Sequence, residues 1–163
     1  MSKEQDLAAI EEVYQKWCTA WRNLDTKLQV SLFDKEDSMI AYQSEENRGP
    51  CFSHDQIAKY WSVATTVLAG VERWEPVAEN MKKVSYGGDF AMIYVVMNTI
   101  LRIQGGAEPF PGELRASIGL RKKDGEWKIY HYHESRQLEF ARKANIGLDD
   151  KIGIQMPKER IDL

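Results

Sequence analysis

Apolar positions near the start of the chain recur at spacings of three and four. Ile10, Val13, Tyr14, Trp17, Trp21 and Leu24 mark one face of a helix running to about Asn23. Ser2-Lys3-Glu4-Gln5 in front of them has the form of a capping box, and Glu4 and Asp6 suit the positive helix end. Asp25 can cap a second, short helix that carries Leu28, Leu32 and Phe33. Ser38 to Gln43, "SMIAYQ", reads as a short strand, followed by a polar loop through Gly49-Pro50. Ser53-His54-Asp55-Gln56 repeats the capping pattern and opens a third helix, with Ile57, Tyr60, Trp61, Ala64 and Leu68 as its buried stripe.

After Gly70 the rhythm changes to alternation. "EPVAENMKKVSY" and "DFAMIYVVMNTILRI" flank Gly87-Gly88, a natural hairpin turn. "ELRASIGLRKK" and "EWKIYHYHES" flank Asp124-Gly125, a strong hairpin signal. Four long strands in succession predict an antiparallel meander. Helices gathered ahead of such a sheet predict an α+β fold with the helices on one sheet face. One domain covers residues 1–140, and residues 141–163 form an extension of it. In that tail Leu138 and Phe140 can pack on the body, and a short strand is expected near Ile152 to Met156.

Composition narrows the function classes. A chain of 163 residues, 43% hydrophobic and 29% charged, can bury one sizeable core. Net charge is −3 and the basic residues are scattered. Arg121-Lys122-Lys123, the one basic cluster, reads as a solvated strand end, so no nucleic acid is expected as a partner. The start, "MSKEQDLAAI", lacks a basic segment followed by an apolar one, and the longest apolar run, Phe90 to Met97, is too short to cross a bilayer. A cytoplasmic protein without a membrane partner is expected, with Cys18 and Cys51 as free thiols.

The candidate chemistry lies in "GEWKIYHYHES", which holds two of the three histidines. Strict alternation puts Trp127, Ile129, His131, His133 and Ser135 on one face and Lys128, Tyr130, Tyr132 and Glu134 on the other. Charges at both ends of the second set argue that it faces outward. Three readings compete for the histidines: metal ligands, hydrogen-bonded structural residues, or acid–base and ligand-binding groups. A metal needs a third ligand, and only His54, at a helix start, is another histidine. No metal is therefore expected.

The aromatic first helix ending near "NLD", the helix after a Gly-Pro loop, and "LRASIGLRKKDGEWKIYHYHES" resemble the nuclear transport factor 2-like superfamily. The nearest branch is the SnoaL-like, ketosteroid isomerase-like one, and the last run also resembles the association domain of calcium/calmodulin-dependent kinase II. The resemblance covers about residues 4 to 140. It implies a cystatin-like cone: a curved antiparallel sheet wrapped around the N-terminal helices, with a pocket at the open end. In ketosteroid isomerases a helix tyrosine donates to the substrate's oxyanion, and Trp17 stands at that place here. The catalytic aspartate of that branch falls near Tyr42. A carboxylate base is thus missing from the expected position, and ketosteroid isomerase activity itself is not implied. The superfamily also hosts non-catalytic proteins, so the fold does not settle function.

The expected pocket is apolar, with Ile93, Val95, Met97, Thr99 and Leu101 facing Leu114, Ala116, Ile118 and Leu120 across two strands. Its catalytic residues are expected to be His131, His133 and Tyr42, and its substrate-binding residues Tyr14, Trp17, Trp61, Met97, Thr99 and Ile118. His131 should lie deeper than His133, stay neutral through burial, and do the proton transfer. The function expected is a cofactor-independent isomerase, dehydratase, cyclase or related lyase acting on a small hydrophobic, aromatic or polycyclic molecule. The rival is a non-catalytic binding or assembly module, favoured by the absence of a pocket carboxylate. A homodimer or larger homo-oligomer is expected, because Tyr94, Val96, Ile100, Tyr130 and Tyr132 would make the outer face apolar.

Overall fold

The computed structural model describes residues 2–45, 48–105 and 110–136. Helix α1 spans Lys3–Asn23, and the predicted capping box is present: Ser2 accepts from the Gln5 amide and Gln5 reaches back to the Ser2 amide. Leu24 ends the helix in a left-handed conformation. The short α2 is Thr26–Ser31, capped by Asp25, and α3 is His54–Val67, capped by Ser53. The strands among the described residues are β1 (Ala41–Gln43), β2 (Leu68–Pro76), β3 (Lys82–Tyr86), β4 (Phe90–Ile103), β5 (Phe110–Lys123) and β6 (Glu126–Arg136).

The sheet runs β1-β6-β5-β4-β2, with β3 also on β4. The two hairpins expected at Gly87-Gly88 and Asp124-Gly125 join β3 to β4 and β5 to β6. Asp124 and Gly125 both take positive φ, as the tightest two-residue turn requires. Two features depart from the four-strand meander. "SMIAYQ" shrinks to β1 behind a 3₁₀ turn at Asp37–Met39, and β1 pairs in parallel with β6, so the sheet is mixed. The stretch "EPVAENMKKVSY" is not one strand. Pro76, opposite Met97, has no N–H to continue the ladder, and Val77 to Met81 loop out before Lys82 resumes opposite Val95. The expectations for Leu138, Phe140 and Ile152 to Met156 lie outside the described residues.

The inward faces of β4 and β5 follow the alternation read from the sequence. Ile93, Val95, Met97, Thr99, Leu114, Ala116, Ile118 and Leu120 are all buried, and α1 and α3 supply Ile10, Tyr14, Trp17, Trp21, Ile57 and Trp61 against them. One end is closed by Asp6 of α1. Its carboxylate accepts from Trp127 Nε1 at 3.0 Å and Tyr86 Oη at 2.9 Å, and pairs with Lys122 at 2.9 Å. Hydrogen bonding from Lys122 is the main force holding that carboxyl below its ordinary range. The result is a curved sheet closed over the helices and pinned where α1 starts.

Candidate functional site

The strand carrying the histidines does not alternate throughout. Gly119 of β5 lies opposite His131, but its neighbour Leu120 lies opposite Ile129, so Tyr130 is an extra residue in β6. A β-bulge of this kind makes two residues face one and flips every later side chain to the other side. Trp127 and Ile129 point inward as expected; beyond the bulge Tyr132 and Glu134 do, being 0% and 4% exposed. His131 and His133 are thereby turned to the outer face, where His131 is half-buried and His133 exposed. The expected depth order of the pair holds, yet neither ring enters the cone. Burial, and then His133, push the His131 pKa below its ordinary value.

The other candidate residues are buried in the core. Tyr42 is fully buried opposite Tyr132, their rings stacked at 5.0 Å. Burial, followed by the nearby Tyr60, Glu134 and Tyr132, raises the Tyr42 pKa far above the ordinary range, holding it as a neutral phenol. Tyr14 donates to the Met97 sulfur at 3.5 Å, and burial raises its pKa too. Thr99 donates to the Gly112 carbonyl at 3.0 Å, and Ile118 lies opposite Tyr132. Cys18, beside Tyr14, is a buried thiol pushed up to about 11 by desolvation, which suits packing rather than nucleophilic work. His54 is spent on the Val30 carbonyl at 3.2 Å. Among the described residues no three His, Cys, Asp or Glu side chains converge as metal ligands.

Trp17 and Trp61 belong to a closed circuit of aromatic rings drawn from five elements. Trp17 meets Trp74 at 5.5 Å, Trp74 meets Trp21 at 4.1 Å, and Trp21 meets Trp61 at 4.5 Å. From Trp61 the circuit passes to Tyr60 at 5.6 Å, Tyr42 at 5.1 Å and Tyr132 at 5.0 Å, and returns to Trp17 at 5.7 Å. Offset and edge-on contacts of this kind add about 0.5–1.5 kcal/mol each beyond area burial. The indole N–H groups of Trp17, Trp21, Trp61 and Trp74 are buried without a hydrogen-bond partner among the described residues. Leaving a buried donor unpaired costs about 1–3 kcal/mol, so these groups favour any acceptor oxygen brought among them.

At the circuit's edge, two residues beyond Tyr132 on β6, stands the one strongly buried glutamate of the described residues. Glu134 accepts a short hydrogen bond from the Tyr132 hydroxyl, and the Glu45 backbone amide lies 3.4 Å from its other oxygen. Ser44 is fully buried, and its hydroxyl has no partner among the described residues. Farther out, Arg136 pairs with Glu45 and donates to Thr99 Oγ1 at 3.1 Å. A groove of about 470 Å³ elsewhere, beside the Asp124-Gly125 hairpin, has several of its lining charges already matched, Asp34 and Glu36 with Arg121, and Lys128 with Glu126.

Sequence reasoning placed Glu134 and Tyr132 outside and passed over Arg136, Tyr60 and Trp74 as site residues. A signal existed: Gly119 stands alone in an otherwise β-forming run, and an isolated glycine inside a strand marks a bulge or a close approach.

The fold is shared with solved structures. A nuclear transport factor 2-like superfamily protein from Salmonella enterica serovar Typhimurium matches with a TM-score of 0.73 at 16% identity, over 85% of this chain and 95% of that one. A protein of Novosphingobium aromaticivorans, provisionally described as a scytalone dehydratase, matches at 0.69 and 14% identity, over 82% and 85%. A Xanthomonas campestris protein, provisionally described as a calcium/calmodulin-dependent kinase II association domain, matches at 0.63 and 18% identity, over 85% and 91%. No functionally curated protein matches the chain. At these identities the likeness concerns the fold. The SnoaL-like domain model matches residues 10–139, from the middle of α1 past the end of β6, and the chain belongs to the SnoaL-like domain family.

Proposed function

We propose that the protein is a cofactor-independent acid–base enzyme of the lyase or isomerase type, acting on a small aromatic molecule held in the cone, with Glu134 as the acid–base group. One observation carries this: a buried carboxylate, bonded to the Tyr132 phenol, borders a closed circuit of aromatic rings. Flat rings stack on flat rings, and a carboxylate beside them can take up and return a substrate proton. The proton-transfer role first assigned to His131 and His133 thus passes to Glu134. Tyr42 keeps its place as a neutral hydrogen-bond donor to a substrate oxygen.

A single carboxylate is enough for either reaction type. In a dehydration Glu134 takes a proton from carbon, and that bond's electron pair becomes the new double bond. The carbon–oxygen bond breaks, and Glu134 returns its proton to the departing hydroxyl, which leaves as water. In an isomerisation the same proton goes back to a different carbon. The dehydratase description of the Novosphingobium aromaticivorans neighbour favours the first. The non-catalytic alternative drew its support from the lack of a pocket carboxylate, and Glu134 removes that support.

The test is a screen of hydroxylated aromatic ketones, followed by mass spectrometry for loss of water. Turnover should appear with the wild-type protein and fall about a hundredfold or more in kcat in Glu134→Gln, with KM little changed. His131→Gln and His133→Gln should retain it. Full kcat in Glu134→Gln, or its loss in His131→Gln alone, contradicts the assignment.

A further inference from the structure

The inward face of β6 beyond the bulge reads phenol, carboxylate, guanidinium: Tyr132, Glu134, Arg136. The guanidinium is not a side chain that drifted inward. Its Nη1 lies 2.5 Å from where a Cβ on Gly112 would stand, so the guanidinium rests against the Gly112 backbone. Nη1 donates to Thr99 Oγ1 at 3.1 Å, Nε pairs with Glu45, and Arg115 Nη2 fixes the Arg136 carbonyl at 2.7 Å. Thr99 is fully buried, and the Arg136 side chain is 16% exposed. A cation is thus held over the polar end of an aromatic interior.

We infer that Arg136 is the receptor for an anionic group of the substrate, and that the substrate class is small aromatic carboxylic acids. The inference rests on the cone being the substrate site. A guanidinium offers a planar fork of donors that a carboxylate matches with two parallel bonds. Glu45 already presents one carboxylate oxygen to Arg136 Nε, so the cation's attraction for a carboxylate is displayed within the chain, and an incoming acid takes the place of Glu45. The same Glu45 lends its backbone amide to Glu134. The exchange therefore reports to the acid–base group directly. Glu134 and Arg136 are successive same-face positions of β6, so one small aromatic acid can address both.

Calorimetric titration with para-hydroxybenzoate and its neutral analogue para-hydroxybenzamide tests this. The wild-type protein should bind the acid about tenfold or more tightly than the amide. Arg136→Gln should erase that preference, and Glu45→Gln, by removing the internal competitor, should enlarge it. Should Arg136→Gln fail to fold, the Glu45→Gln arm decides: an unchanged or smaller preference overturns the inference. Equal binding of acid and amide by the wild type also overturns it, while leaving the cone as substrate site. Binding of neither overturns both.

Discussion

Gly119 lies directly opposite His131, and a Cβ added to Gly119 would stand 2.9 Å from that of His131 and 3.0 Å from the Tyr130 ring. The bulge that turns Tyr132 and Glu134 inward exists because this position of β5 carries no side chain. Tyr130, the extra residue, lays its ring over the glycine and meets Phe90 edge-on at 6.0 Å. A glycine in a strand costs backbone entropy. Here that cost is offset by the space it opens.

Gly119→Ala should therefore destabilise the protein. The substitution gains about 0.4–1 kcal/mol by restricting the unfolded chain, but crowding a packed position costs about 1–3 kcal/mol, so the cost prevails. Denaturant unfolding measures it directly. A variant as stable as the wild type would mean that the bulge accommodates a methyl group at no cost.

What the sequence disclosed divides along the same line. Ser2 with Gln5, and Asp124 with Gly125, act within a few residues, and each formed the cap or turn expected of it. The alternation of β4 held because its partner β5 stays in register along its whole length. In β6 the alternation breaks at Tyr130, and the cause sits on another strand. Glu134 misled for a second reason: its charge argued for solvent, while the Tyr132 hydroxyl beside it on β6 and the Glu45 amide, distant in sequence, help make its burial tolerable. Pro76, which has no N–H for the ladder, lay inside a stretch read as one strand, and the distance at which Lys82 resumes pairing is set by β4.

Acid should weaken the fold through His131. Burial, then His133, depress its folded pKa below the ordinary 6.5, so under that pH the unfolded chain binds more protons than the folded one. The stabilisation is present in full above about pH 6.5 and declines as the pH falls below it. Thermal melting of the wild type should drop between about pH 7 and 5.5, above the carboxylate range, and His131→Gln should flatten that slope. Melting temperatures that rise on acidification over this interval would reverse the sign.

We propose that the homodimer or larger homo-oligomer expected from the sequence assembles through the outer sheet face, by a smaller set of residues than expected. Tyr132 has left it and Val96 is 7% exposed, while Phe90 and Tyr94 remain 49% and 45% exposed beside Tyr130. Light scattering at micromolar concentration should give twice the chain mass, and Tyr94→Glu, which places a charge in that patch, should give the monomer. A wild-type monomer would refute this assembly.

The most direct test of the account is a nuclear Overhauser spectrum of the aromatic protons. With the bulge in place, Tyr132 ring protons should show cross-peaks to both Trp17 and Tyr42, whose ring centres lie 5.7 and 5.0 Å away, and the His131 ring should connect to Tyr130. Cross-peaks from His131 or His133 to Trp17, with none from Tyr132, would restore strict alternation along β6 and return Glu134 to the outside.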